Sequence, residues 1–290
     1  MAGAATTRPS NLTVDGNPAR AKSRKQTKSD SPFSQSVRAW RNARKLSQME
    51  LALRAGVSPR HICFLENGRA RPSRVMVLTI ADALEMSLRE QNRLLLAAGF
   101  APRFQEADFF GPEMAHVRQV VAFILERHEP FGSAAIDAGW RVLVGNNAFW
   151  RTIEVFSDGA IQRGDGVNLL EVMAHENFRA KIVNWEEASL MMSRRLHREA
   201  LEWKASAPNE QVQPPWAEIL SERESSANLN GPHPLMIPIH LRYQGRDIRI
   251  FSTITTLGTP IDVTLQELRI ETFFPADAES EAVLRSMGEM

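Results

Sequence analysis

Apolar residues recur at helical spacing in five short segments between residues 33 and 100. Val37 and Trp40 mark the first of these apolar faces, and Val75 and Leu78 mark the fourth. A serine precedes each of the last four segments, where its hydroxyl can accept a hydrogen bond from the first backbone N–H groups of a helix. These serines are Ser47, Ser58, Ser73 and Ser87. The pattern predicts five short α-helices packed closely together.

The rest of the chain combines helical and strand patterns. Residues 112–129 have a helical apolar face, Asn146 and Asn184 stand where two further helices begin, and residues 134–137 and 141–145 flank a short turn. In three later stretches large apolar residues alternate with other residues, which is the period of a β-strand. The three stretches are residues 235–243, 248–254 and 268–274. A sheet that contains a hairpin and three antiparallel strands follows from this pattern.

These elements predict a multi-domain chain, in which an all-α unit of about five helices precedes an α+β unit with a mixed antiparallel sheet. The predicted division is a disordered basic tail at 1–31, the helical domain at 32–100, a linker at 101–111, the α+β domain at 112–275 and a flexible tail at 276–290.

Charge is distributed unevenly between the two units. The whole chain has a formal net charge of +1, but residues 1–100 hold 17 basic and 7 acidic residues, a net +10, and residues 101–290 hold 18 basic and 27 acidic residues, a net −9. Such asymmetry is typical of a chain with one polyanion-binding end. The run of basic residues at 194–198 is interpreted as a solvated helix face, since several glutamates surround it.

Several classes of protein do not fit the composition. The single cysteine, Cys63, excludes an internal disulfide framework and favours a reducing cytoplasm, where we expect it to be an inert small side chain. No apolar run approaches the ~20 residues of a membrane-spanning helix, and the first residues lack the pattern of a secretory signal. The histidines lack the spacing of metal ligands, and we identify no catalytic motif. We therefore expect no metal, no cofactor, no membrane contact and no enzymatic activity.

Residues 47–69 have the pattern of two short helices that cross steeply through a tight turn. Gly56 supplies the positive φ of the turn, and the small Ala52 lets the two helices approach each other. Val57, Ile62 and Leu65 are apolar and face inward. The outward positions at the start of the second helix are Ser58, Pro59, Arg60, His61 and Phe64. A helix N-terminus that carries an arginine suits the major groove of DNA, where arginine can bind guanine in a bidentate manner.

With this motif, residues 33–90 resemble the phage-repressor and Cro-type (XRE) helix-turn-helix family. The resemblance implies that Gln48, Asn67 and Arg69 bind backbone phosphates, and that Arg41 and Glu66 form an internal salt bridge. It places Ser58, Pro59, Arg60 and Phe64 where family members read bases. It further implies a double-stranded DNA operator, a homodimer, and a place in the bacterial cytoplasm at the nucleoid.

Two residues depart from the family pattern. Pro59 occupies a position where many relatives carry a polar residue that reads bases, so one base contact is lost. Phe64 cannot form a hydrogen bond with a base. It could pack on a thymine methyl group or shield Trp40, and the sequence leaves both roles open.

Residues 68–102 and 251–260 are similar to the MmyB-like subgroup of these regulators. Residues 136–149 resemble the opening of a PAS domain, in which a hairpin is followed by a helix that begins at Asn-x-Ala. The subgroup resemblance implies a C-terminal PAS-like domain that binds a small apolar or amphipathic metabolite.

The α+β unit is unusually rich in large aromatic residues, which either fill a core or line an apolar pocket. The candidates for ligand contact are Phe123, Trp140, Phe149, Trp185 and Phe251. We expect a one-component, sequence-specific DNA-binding regulator. The alternative is a protein-interaction adaptor that uses its helix-turn-helix for docking without sequence-specific binding of DNA.

Overall fold

The structure, a computed structural model, describes residues 31–164, 166–206 and 238–287. The disordered tail predicted for residues 1–31 therefore lies outside the described residues, apart from Ser31. The first part of the strand predicted at 235–243 also lies outside them.

Five helices form the N-terminal unit, as the sequence predicts. They are α1 (Pro32–Ala43), α2 (Gln48–Arg54), α3 (Pro59–Glu66), α4 (Arg74–Ala83) and α5 (Leu88–Ala97). The four predicted serines cap α2 to α5, each accepting a hydrogen bond from a backbone N–H three residues on. The helices enclose one apolar core, in which Val37, Trp40, Leu51, Ile62 and Ile80 are almost completely buried.

The C-terminal unit is α+β. Among the described residues of this unit, a 3₁₀ turn (Pro112–Met114) precedes seven helices: α6 (Ala115–Glu126), α7 (Asn147–Phe156), α8 (Leu169–Ala174), α9 (Glu176–Ala180), α10 (Trp185–Ser206), α11 (Val263–Glu267) and α12 (Ala278–Met287). Its strands are β1 (Ser133–Ile136), β2 (Val142–Gly145), β3 (Ile239–Tyr243), β4 (Arg246–Thr256) and β5 (Arg269–Pro275). The predicted fold class is confirmed.

The five strands form a sheet of order β2-β1-β5-β4-β3, and every pairing between them is antiparallel. Successive residues of β1 point to opposite faces, so Ala134 and Ile136 join the core beneath α7, α8 and α10, whereas Ala135 joins a smaller core beneath α6. The β3–β4 hairpin turns at Gln244 and Gly245, both at positive φ, as a two-residue turn requires. The larger core contains the cavity described below.

The C-terminal segment differs from its prediction. Residues 276–290 were expected to form a flexible tail, but α12 packs on the sheet, with Val283 and Met287 buried. Asp277 begins the helix by accepting a hydrogen bond from the backbone N–H of Ser280 at 2.8 Å. The Ser280 hydroxyl in turn accepts one from the backbone N–H of Arg249 at 2.9 Å. Apolar residues at helical spacing were the signal that the prediction missed.

The segment predicted as a linker is attached to both units. The Asn92 side chain accepts hydrogen bonds from the backbone N–H groups of Arg103 and Phe104 at 2.8 and 3.0 Å. Gln105 accepts one from the backbone of Val263 at 2.8 Å. Residues 101–111 therefore lie along the surface of both units and help to join them.

Candidate nucleic-acid interface and ligand cavity

The turn between α2 and α3 sets the angle at which α3 leaves the domain. Gly56 has a φ of +64°, a conformation that strains any residue with a Cβ atom. The backbone N–H of Val57 donates to the carbonyl of Ala52 at 2.9 Å and closes the turn. Pro59 then occupies the first helical position, where its missing N–H is not needed.

The start of α3 presents its polar residues to solvent. Ser58, Pro59 and Arg60 are exposed, whereas His61 and Phe64 are half-buried. The guanidinium of Arg60 lies 5.1 Å from the centre of the Phe64 ring. The Phe64 ring thus supports the Arg60 guanidinium through a cation–π contact. This role of Phe64 differs from both roles that the sequence leaves open.

The turn after α3 carries the remaining predicted contact residues, Asn67 and Arg69. Both are exposed. The side-chain amide of Asn67 donates to the sulfur of Cys63 at 3.3 Å, which fixes Asn67 against the end of α3. The exposed residues predicted to contact DNA thus lie at both ends of α3, some at its start and the others in the turn that follows it.

Glu66, which is almost completely buried, organises the helix-turn-helix from within. Arg41 donates to its two carboxylate oxygens at 2.6 and 3.1 Å, in the fork geometry that arginine and carboxylate favour. Gln48 Nε2 donates to Glu66 Oε2 at 2.7 Å. Gln48, predicted from the resemblance to hold a phosphate, therefore directs this N–H into the domain and couples the start of α2 to the end of α3.

The C-terminal unit contains a cavity of about 360 Å³, within the ~300–1,000 Å³ range of small-molecule sites. It lies between the sheet and the helices α7, α8 and α10, and most of its walls are apolar. Apolar lining residues include Phe149, Ile153, Met191, Met192, Ile250 and Phe273. Two of the predicted ligand-contact aromatics, Phe149 and Phe251, line it.

Three other predicted aromatics lie elsewhere. Phe123 lies on α6, on the opposite side of the sheet from the cavity. It is 57% exposed because its side chain points away from the buried face of that helix. Trp140 is completely buried behind Arg195, whose guanidinium lies 4.0 Å from the centre of the indole ring. Trp185 packs at the edge of the core beneath Arg179, 4.8 Å away. These three aromatics therefore do not line the cavity.

Sequence reasoning missed the polar residues of the cavity, which are Thr152, Arg195, Ser252 and Glu271. Burial raises the pKa of Glu271, against the lowering effect of the Ser252 hydrogen bond and of the nearby arginines. Burial lowers the pKa of Arg195, because here too it disfavours the charged form of the side chain. The basic run at 194–198 is consequently not a purely solvated face, because Arg195 turns into the molecule.

Within the described ranges, histidine, cysteine and carboxylate side chains form no cluster suited to a metal ion. None of the described helices has the length and apolar character needed to cross a membrane.

Comparison with known proteins identifies both units. Residues 117–287 match the family model of the MmyB-like transcription regulator ligand binding domain, and residues 37–91 match a helix-turn-helix family model. A search of curated proteins found no match. The first match covers more than half of the chain and includes the whole sheet.

Proposed function

The chain belongs to the family of MmyB-like transcription regulators, and on that premise we propose that it binds a specific DNA operator as a homodimer and responds to an amphipathic metabolite. Its two matched families support a ligand-responsive, DNA-binding transcription regulator. We assign DNA binding to residues 32–100 and ligand binding to the α+β unit, which we extend from 112–275 to residue 287.

The observation that carries the proposal is the exposed, serine-capped start of α3. The Arg60 guanidinium rests on Phe64 and is held in one region of space, so less conformational entropy is lost when it binds a base. Asn67 and Arg69, at the far end of the same helix, are exposed and can bind phosphates on either side of the groove. Ser58, Pro59 and His61 complete the surface near the bases, and Gln48 orders it through Glu66.

A homodimer would place two copies of α3 in successive major grooves, with half-sites about one helical turn (~10 bp) apart. Selection from a pool of random duplexes tests this arrangement. The full-length chain is expected to enrich a palindrome with that spacing. Enrichment of no sequence would contradict the proposal and favour the protein-interaction adaptor.

We further propose that the cavity communicates with the DNA-binding unit through two contacts. The helix α10 carries Arg195 on the cavity wall and also lies against α1 and α5. The second contact is at α5, where Arg89 donates to the two carboxylate oxygens of Glu267 at 2.6 and 2.9 Å. The hydrogen bonds to Glu267 and Glu106 raise the pKa of Arg89, so it stays charged. Glu267 is the last residue of α11 and lies close before β5, which carries Glu271.

Arg89→Ala is expected to loosen the second contact. A charged hydrogen bond contributes about 1.5–3 kcal/mol, so amide exchange in α11 and its neighbouring loop should become at least about tenfold faster. Hydrogen–deuterium exchange of the full-length protein measures this change. Arg285→Ala is the matched control, because Arg285 forms an exposed ion pair with Glu281 within α12. Equal exchange at α11 in the two variants would show that Arg89 does not hold the units together.

A further inference from the structure

One wall of the cavity holds a carboxyl group that is only half satisfied. Glu271 is 4% exposed and lines the cavity from β5. Its Oε1 accepts a hydrogen bond from the Ser252 hydroxyl at 2.7 Å. Its Oε2 is buried and has no hydrogen-bond partner among the described residues. An unsatisfied buried oxygen is costly, so such an atom on a cavity wall indicates where a ligand group binds.

Arg195 supplies a donor on the same cavity, and the surrounding residues fix its position. Its guanidinium stacks on Trp140 and forms an ion pair with Glu199 at 3.5 Å. Glu199 is itself held, because it accepts from the indole N–H of Trp140 at 3.2 Å and pairs with Arg269 at 2.9 Å. These contacts hold Arg195 in place. Within the described part of the chain Arg195 and Glu271 attract each other without forming an ion pair.

The cavity therefore presents a cationic donor and a carboxyl acceptor beside apolar walls. A pure hydrocarbon ligand would leave Glu271 Oε2 without a hydrogen-bond donor. A ligand carboxylate could pair with Arg195 but would place its charge beside the buried Glu271, whose pKa burial already raises. Keeping both carboxyl groups ionised is costly in such surroundings. A neutral group that both donates and accepts satisfies both residues.

Building on the proposed function, we propose that the effector is a neutral amphipathic molecule, an apolar chain that ends in a hydroxyl or amide group. This group donates a hydrogen bond to Glu271 Oε2 and accepts one from Arg195, while the chain lies along Phe149, Ile153 and Ile250. Glu271 is then the residue that selects neutral over anionic head groups.

The test compares three probes with the same chain length, 1-dodecanol, dodecanamide and dodecanoic acid, by calorimetric titration of the full-length protein at neutral pH. The alcohol and the amide are expected to bind about tenfold or more tightly than the acid, a ratio equivalent to ~1.4 kcal/mol. In Glu271→Gln, whose amide can donate to a carboxylate, this ratio should fall towards one. Glu281→Gln, an exposed substitution of the same chemistry on α12, should keep the wild-type ratio.

The outcomes separate the two levels of the proposal. Equal or tighter binding of the acid by the wild-type protein overturns the neutral head group but leaves a regulator that senses an amphipath. A ratio that survives in a folded Glu271→Gln protein overturns the role of Glu271. If none of the three probes binds, both the head-group assignment and the proposed amphipathic effector are wrong. The melting temperature of each variant shows whether it folds.

Discussion

Glu66→Ala is expected to destabilise the helix-turn-helix unit by about 3–5 kcal/mol, the usual cost of removing one partner from a buried ion pair. The Glu66 side chain is 1% exposed and that of Arg41 is 13% exposed, so solvent cannot replace the lost contacts. The substitution leaves the Arg41 guanidinium and the Gln48 amide without their shared acceptor. Whole domains are stable by only ~5–15 kcal/mol, so the substitution is expected to remove a substantial part of the free energy of unfolding of this unit.

Urea unfolding combined with hydrogen–deuterium exchange measures this loss and locates it in α1 and α3. Glu85→Ala is the matched control, because Glu85 forms an exposed pair with Arg54 at 3.3 Å. Exposed pairs contribute about 0–1 kcal/mol, so the control should unfold almost as the wild type does. Similar losses in the two variants would contradict a structural role for the buried pair.

Arg60→Ala is expected to weaken binding to the selected operator by about 30-fold or more. A bidentate contact between arginine and a base contributes about 1–3 kcal/mol of discrimination, and a twofold dimer loses it in both half-sites. The preference should disappear at one base pair in each half-site. Arg69→Ala should instead weaken binding to all duplexes about equally and reduce the salt dependence, since phosphates carry no sequence information. Identical effects of the two substitutions would contradict the base-reading role of Arg60.

The five-helix unit could be predicted from sequence because its signals are local. Each serine cap and each apolar face lies within one helix, and Gly56 marks the turn by its own conformational freedom. The hairpin at 134–145 and the later strands could be predicted for the same reason, because their turn and their alternating apolar residues are also local signals. The helix α12 was missed because its short apolar face becomes informative only when the sheet beneath it is known.

The cavity was harder to predict because its lining comes from distant parts of the chain. Aromatic composition indicated large side chains but not which face of an element they occupy. Phe149 lines the cavity, whereas Phe123 is exposed on another helix. Arg195 and Glu271 are 76 positions apart and come to line the same cavity only in the folded chain. No local pattern distinguishes them from surface charges.

The most direct test of sequence-specific DNA binding is the affinity of the full-length protein for its selected duplex and for a scrambled duplex of the same composition, at one salt concentration near physiological. The selected duplex should bind about 10³-fold or more tightly, the typical margin of specific over non-specific binding, and Arg60→Ala should reduce this ratio strongly. A ratio near one in the wild-type protein would contradict the assignment of residues 32–100 as a sequence-specific DNA-binding domain.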